Sequence, residues 1–289
     1  MSVTVPKASR LDDRVVVITG ASSGVGRAAA HALSELGATV AVVGRNPART
    51  RQVAAEVGGT AYIADFTDLS AVRGLAASLL DDLPRIHVLA NNAGGTFRDR
   101  TLTRDGYDIT FQSNHLAPFL LTNLLLPRLL ETAGDSPAGT VRVIQTSSDG
   151  NRFGRVRLDA LDNRTGLWAA GMRPYGTSKL ENILFTRELA KRLRGTGVST
   201  YAFHPGFVAT NFGGGGPVIK AMQKVALSPA QGAEPLVRLA GATTVPAPSG
   251  NYFDRLTAPG KVNPQANDAE LARGLWEASE RLAGVAAGV

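Results

Sequence analysis

Short runs of Val, Ile and Ala alternate along this chain with segments whose apolar residues recur every three or four positions. Arg14–Thr19 reads Arg-Val-Val-Val-Ile-Thr and stops at a glycine, the continuous apolar pattern of a strand buried on both faces. From Val25 the apolar positions Val25, Ala29, Ala32, Leu33 and Leu36 share one face at helical period, and Gly37 follows as a C-terminal cap. The same reading predicts strands at Thr39–Val43, Ala61–Ala64, His87–Ala90, Val141–Thr146 and Ser199–Phe203. Helices are predicted near Pro47–Val57, Leu69–Leu80, Gly106–Leu130 and Tyr175–Arg194. Strand–helix alternation of this kind predicts an α/β fold, a doubly wound parallel sheet of about seven strands with helices on both faces.

Two segments break the rhythm. Residues 150–174 insert between a strand and the Tyr175 helix, and residues 211–227 open with Asn211-Phe212 and four consecutive glycines. Both follow strand ends, where open parallel sheets bind ligands, so both are expected to shape a substrate pocket. The 289 residues suit one domain, with residues 1–11 as an N-terminal arm. Hydrophobic residues at 44% and charged residues at 19% are those of an ordinary globular protein. Zero cysteines exclude disulfides, thiolate metal sites and cysteine nucleophiles, and no metal is expected. Met1–Arg10 has no apolar stretch to serve as a secretion signal. Leu116–Leu130 is interrupted by Pro118, Thr122, Asn123, Pro127 and Arg128, too polar and too short to span a bilayer. A cytoplasmic protein with no membrane span is expected. The net charge of +7 raises the question of nucleic acid, but the arginines are dispersed and no basic run accompanies aromatic residues. A solvated basic surface explains the charge, and nucleic-acid binding is not expected.

Candidate chemistry concentrates in two places. Thr19-Gly20-Ala21-Ser22-Ser23-Gly24-Val25-Gly26 lies between the first strand and the first helix, where free helix amides and the dipole attract phosphate. The spacing Gly-x-x-x-Gly-x-Gly differs from the general Gly-x-Gly-x-x-Gly fingerprint, although the strand–turn–helix setting fits. Further along, Tyr175 and Lys179 stand four residues apart and therefore share one helix face. A cation beside a phenol favours the phenolate and draws its pKa down from about 10, which general acid–base catalysis requires.

With these motifs the chain resembles the short-chain dehydrogenase/reductase superfamily, in its single-domain branch, with the Rossmann-type fold that this implies. The glycine turn, Asp65, Asn91-Asn92-Ala93-Gly94, Asn114, Ser147-Ser148, Tyr175–Lys179, and Pro205-Gly206 with Thr210 run in the family's order. The likeness is closest to retinol-dehydrogenase-like members, whose Lys-Leu-x-Asn-Ile-Leu-Phe run recurs at Lys179–Phe185. The tail is similar to that group as well, at Ser228–Ala233, Ser249–Phe253 and Leu271–Leu282.

The resemblance implies that Tyr175 exchanges a proton with the carbonyl or alcohol oxygen and that Ser148, the second serine of its pair, hydrogen-bonds that oxygen. Lys179 would lower the tyrosine pKa and hold the nicotinamide ribose, and Asn114 would anchor a water in a proton relay. Residues implied around the cofactor are Gly20, Ser22, Ser23, Gly24, Val25, Gly26, Arg45, Asp65, Phe66, Asn92, Ala93, Gly94, Tyr175, Lys179, Pro205, Gly206, Val208 and Thr210. Asp65 and Phe66 would lie beside the adenine. At the end of the second strand, Gly44 takes the position of the acidic residue that binds NAD ribose, and Arg45 follows with a fork suited to phosphate, so NADP(H) is favoured over NAD(H). Trp168, Met172, Phe207 and Phe212 are candidates to line an apolar pocket, whereas His204 reads as a structural strand-end residue. The expected function is reversible oxidoreduction between a carbonyl and an alcohol on a small lipophilic substrate, in a homodimer or homotetramer paired through the Asn114 and Tyr175 helices. The alternative is a non-catalytic NADP(H)-binding sensor. A double-bond reductase similar to the protochlorophyllide enzymes would call for a cysteine, which the chain lacks.

Overall fold

The computed structural model describes residues 2–161, 169–208 and 226–285. Seven parallel strands form the body of one sheet: β2 (Val15–Thr19), β3 (Thr39–Gly44), β4 (Thr60–Ile63), β5 (Val88–Asn91), β6 (Val141–Thr146), β7 (Val198–His204) and β8 (Tyr252–Asp254). Two strands of two residues each, β1 (Val3–Thr4) and β9 (Thr257–Ala258), add antiparallel pairs beyond β8, making nine. Neither short strand is legible in the sequence, because two residues carry no periodicity. The order β1-β9-β8-β7-β6-β5-β2-β3-β4 reverses direction between β5 and β2, the switch point of a doubly wound sheet.

Helices cover both faces. On one side α1 (Gly24–Glu35), α2 (Pro47–Glu56) and α7 (Pro229–Gly241) bury residues such as Leu33, Val53 and Leu236 against Val16, Ile18 and Val42. On the other, α3 (Leu69–Asp82), α5 (Ala117–Gly134), α6 (Met172–Arg192) and α8 (Ala269–Ala283) pack over Val17, Leu89 and Val143. Neighbouring strand residues such as Val16 and Val17 thus belong to different cores, which is why the strands are apolar throughout instead of alternating.

The segment predicted as one helix over Gly106–Leu130 is three continuous pieces. A short α4 (Ile109–Phe111), capped by Asp108, passes into a π-helical turn at Gln112–Leu116 and then into α5. Pro118 has no N–H to give to the Asn114 carbonyl, so the regular ladder fails at this point and the turn widens.

The terminal helix α8 lies across α5 and α6. Trp276 is fully buried, with ring centroids 4.9 Å from Phe119 and 5.7 Å from Phe185, and the Arg192 guanidinium sits 4.4 Å above it. The terminal helix thus covers the part of α5 and α6 that carries Phe119 and Phe185. No helix among the described residues is long and apolar enough to cross a membrane.

Two buried histidines are held neutral by this packing. His87 accepts from the Val15 amide at 3.1 Å, and burial pushes its pKa down to about 4; His115, enclosed beside Ser279, is pushed down to about 3. The unfolded chain takes up these protons below about 6.5, whereas the folded chain resists until pH 4 to 3. Stability is therefore expected to fall as pH drops from about 6.5 to 4, by on the order of 3 kcal/mol for each histidine. Urea unfolding midpoints across that range measure it, and a constant midpoint would contradict the neutral burial.

Candidate active site

The carboxyl ends of β2, β3, β5, β6 and β7 open on one edge of the sheet, and the residues singled out in the sequence gather there. Thr19 at the end of β2 accepts at its hydroxyl from the Asn92 amide at 3.0 Å and the Ala93 amide at 2.9 Å, and donates to the Ala90 carbonyl at 3.3 Å. Asn92 returns a bond to the Thr19 carbonyl at 2.9 Å and accepts from the Thr146 hydroxyl at 3.3 Å. The ends of β2, β5 and β6 are thereby stitched together.

The glycine turn above this stitch leaves no space for side chains. Gly20 has a φ of +66°, and a Cβ there would meet the Ala93 Cα at 2.8 Å; one on Gly26 would overlap the Gly20 carbonyl oxygen. Ser23, the N-cap of α1, makes no side-chain cap bond, and the first turn carries no acidic residue. The helix therefore presents its amides and positive dipole end to the turn, a cradle that fits the phosphates of a dinucleotide. Ser22 faces the end of β3, where a Cβ on Gly44 would come within 2.5 Å of the Thr50 hydroxyl and 3.1 Å of Ser22 Cβ. A carboxylate side chain does not fit at position 44, and the exposed Arg45 is the first side chain available there. Val208 and Val25 both lie against Gly232 in the first turn of α7, and Gly206, with a φ of +89°, turns the chain out of β7 beside Leu227.

Asp65 is exposed, its carboxylate holding the Thr67 amide and hydroxyl at 2.9 Å. The Phe66 ring, expected beside the adenine, belongs instead to the hydrophobic core and is 8% exposed. Alternation along the chain turns it inward, so its main chain is what it can offer a nucleotide.

Around Tyr175 the Ser148 hydroxyl and the Lys179 ammonium converge. Ser148 caps a short 3-10 turn, Asp149–Phe153, by accepting from the Gly150 amide at 3.1 Å, and its hydroxyl hydrogen-bonds Tyr175. Ser147, one step earlier on the extended chain, is buried with its hydroxyl donated to the Lys179 carbonyl at 2.7 Å. The two serines point opposite ways, and it is Ser148 that meets the phenol. Lys179 reaches under the site, its ammonium 2.9 Å from the Thr146 carbonyl and 5.5 Å from the Tyr175 ring centroid. A Cβ on Gly94 would sit 3.3 Å from that ammonium and 2.9 Å from Asn114 Oδ1.

The expectation that Lys179 draws the phenol down is not met in this structure. Burial pushes the Tyr175 phenol up to about 12, with the Ser148 hydrogen bond acting against it, and burial brings the Lys179 ammonium down to about 8. The lysine spends a donor on Thr146, and its ammonium lies over the Tyr175 ring. Asn114, fully buried in the π turn, donates to the Gly95 carbonyl at 2.9 Å and the Ser178 hydroxyl at 3.0 Å and accepts from the Gly95 amide at 2.9 Å. Its amide clamps the Gly94-Gly95 loop, so a relay water would have to use other groups, such as its main-chain carbonyl.

Met172 and Phe207 are about half exposed at the start of α6 and after β7. Phe153, on the turn that Ser148 caps, is 78% exposed and was not singled out; a short turn gives no periodic signal. Trp168, Thr210 and Phe212 lie outside the described residues. His204 closes β7 with its pKa lowered chiefly by burial, a structural setting.

Residues 14–160 match the family described as short chain dehydrogenase. The chain is 44% identical to a Streptomyces sp. (strain C5) protein assigned as the daunorubicin C-13 ketoreductase DnrU, over 95% of this chain and 94% of that one. It is 36% identical to retinol dehydrogenase 14 of Mus musculus, over 94% and 86% respectively. Among solved structures, an uncharacterized protein from Mycobacterium paratuberculosis superposes with a TM-score of 0.78 at 31% identity, covering 99% of this chain and 98% of that one. A protein from Shigella flexneri assigned as a short chain dehydrogenase and complexed with NADP gives 0.66 at 26% identity, over 86% and 99%.

Because a Cβ on Gly26 would overlap the Gly20 carbonyl, Gly26→Ala is expected to cost about 1–3 kcal/mol of stability by urea unfolding. It should also abolish saturable binding of a nicotinamide dinucleotide, read by cofactor fluorescence. Wild-type binding in this variant would contradict the cradle.

Proposed function

The chain belongs to the short-chain dehydrogenase/reductase family of nicotinamide-dependent oxidoreductases, and from that premise we propose that it is an NADP(H)-dependent enzyme interconverting a carbonyl and an alcohol on a lipophilic small molecule. The observation that carries the reading is the convergence of the Ser148 and Tyr175 hydroxyls beside Lys179 and the side-chain-free Gly94 loop.

NADPH, when bound, would supply a hydride to the carbonyl carbon. Gly20, Ser22, Ser23, Gly24, Val25 and Gly26 would hold its pyrophosphate, Asp65 and the Phe66 main chain would serve the adenine, and Asn92–Gly94 with Pro205, Gly206 and Val208 would hold the rest. Tyr175 gives its phenolic proton to the carbonyl oxygen as the alcohol forms. A phenol carries its proton at neutral pH with or without the upward push of burial, so Tyr175 has the proton to give, and Lys179 beside its ring favours the phenolate that donation leaves. Ser148 already receives the Gly150 amide, so its hydroxyl hydrogen is directed outward to Tyr175 or the substrate oxygen. Lys179 would hold the ribose hydroxyls and, as the phenolate develops, offer the compensating charge. Asn114 keeps the Gly94-Gly95 loop in place beside Lys179.

NADP preference is supported by the closed position at Gly44 and the exposed Arg45 after it. The lipophilic substrate is supported by Met172, Phe207 and Phe153 on the same side as Tyr175, together with the ketoreductase and retinol dehydrogenase names of the relatives.

Two outcomes are expected. Tyr175→Phe should lower NADPH-dependent reduction across a ketone and aldehyde panel by about 10²–10⁴-fold while NADPH still binds; a wild-type protein that binds NADPH and reduces nothing would contradict the reading. Arg45→Glu should raise the NADPH Kd by at least about tenfold and leave that for NADH within about twofold, and equal effects on both would remove the 2′-phosphate assignment.

A further inference from the structure

Ser148 lies on an irregular stretch, residues 148–156, that has only a 3-10 turn to shape it. Its position against Tyr175 is set from two sides. On one, the turn presses backbone to backbone on the first turn of α6: a Cβ on Gly176 would come within 2.7 Å of the Gly150 carbonyl, and one on Gly154 within 2.5 Å of the Gly176 carbonyl. Gly176 adjoins Tyr175, so this contact sets how closely the serine turn meets the phenol.

On the other side the turn is held by a segment more than 100 residues downstream. Asn151 is fully buried and donates to the Ser148 carbonyl at 2.7 Å. Its oxygen accepts from the Asn263 amide at 3.0 Å. The Asn263 side chain donates to the Arg152 carbonyl at 3.2 Å and the Gly154 carbonyl at 2.9 Å, while its oxygen accepts from the Gln265 amide at 2.9 Å. Gln265 then pairs with Val156 in both directions at 3.0 Å, amide to side-chain oxygen and side-chain nitrogen to carbonyl. Residues 148–156 thus receive from Asn263 and Gln265 the hydrogen bonds that a strand or helix would have supplied.

We propose that Asn263 and Gln265, acting through Asn151, are positioning residues for Ser148: the segment after β9 is a strap that fixes the serine hydroxyl against Tyr175. The inference rests on the carbonyl-reducing function proposed above. The strap touches neither the glycine turn nor Arg45, so cofactor affinity is independent of it. A serine free to drift by about 1 Å loses its alignment with the phenol and the substrate oxygen, a displacement that costs on the order of 10²-fold in comparable sites.

Asn263→Ala removes both donors and the Gln265 acceptor. Asn263→Asp keeps the shape and the acceptor, but a carboxylate cannot donate to the Arg152 and Gly154 carbonyls. Both variants are expected to lower kcat for NADPH-dependent carbonyl reduction by roughly 10- to 100-fold with the KM for NADPH within about twofold of wild type. Hydrogen exchange by mass spectrometry should show faster exchange confined to residues 148–156 and the first turn of α6. Gln265→Glu, which keeps the Val156 amide bond and loses only the return donor, should give a smaller fall and serves where an Asn263 variant does not fold. Unchanged kcat in the variants would overturn the proposal, as would kcat, NADPH KM and exchange across the whole chain moving together, because that pattern is general loosening. If wild-type protein reduces no carbonyl, the proposed function fails by itself. Exchange then decides the strap, local acceleration supporting it and unchanged exchange overturning it.

Discussion

The hydroxyl of Thr19 is the point on which the site depends. At a topological switch the chain leaves β2 in one direction and β5 in the other, so a crevice opens between their loops. Left to themselves, two diverging loops would each satisfy their amides with water. Here one hydroxyl takes the amides of Asn92 and Ala93, and the Asn92 side chain answers on the Thr19 carbonyl. The glycine turn can then rest on Ala93 with no side chain between them, and the crevice acquires a floor made of backbone.

Everything that does chemistry is referred to that floor. Asn92 also takes the Thr146 hydroxyl, and Lys179 reaches the Thr146 carbonyl, so the end of β6 and the start of α6 register against the same stitch. Asn114 secures the next loop residue, Gly95, from both its amide and its carbonyl. Burial that makes this arrangement rigid also sets its protonation: the phenol is pushed up, the ammonium down, and both histidines of the interior stay neutral.

Much of this was legible in the residues. Strand and helix periodicity located six of the seven parallel strands within a residue or two, since apolar runs such as Val15–Thr19 suit a strand buried on both faces; the three-residue β8 was legible only through the likeness of the tail at Ser249–Phe253. Ser148, Tyr175, Lys179 and Asn114 were recognisable from their order along the chain, and the structure brings all four together. Three things were not legible, each for a physical reason. The direction of the tyrosine shift depends on desolvation, which spacing on a helix does not report. The inward turn of Phe66 depends on which face of the chain the core takes. Asn263 shows no pattern at all, because its partners, the Arg152 and Gly154 carbonyls, are main-chain atoms that any sequence would present. The covering of α5 and α6 by α8 is likewise tertiary: Trp276 reads as an amphipathic helix residue until its ring is seen against Phe119 and Phe185.

The central claim is that Tyr175 protonates an oxygen whose carbon has just received a hydride from a dinucleotide in the Gly20–Gly26 cradle. Isotope transfer tests it most directly. With NADPH deuterated at the transferable C4 position and a lipophilic ketone in ordinary water, the account predicts one deuterium on the carbinol carbon of a single alcohol enantiomer and a solvent hydrogen on its oxygen. Tight binding of the labelled cofactor with no deuterium delivered to any ketone or aldehyde offered would contradict it.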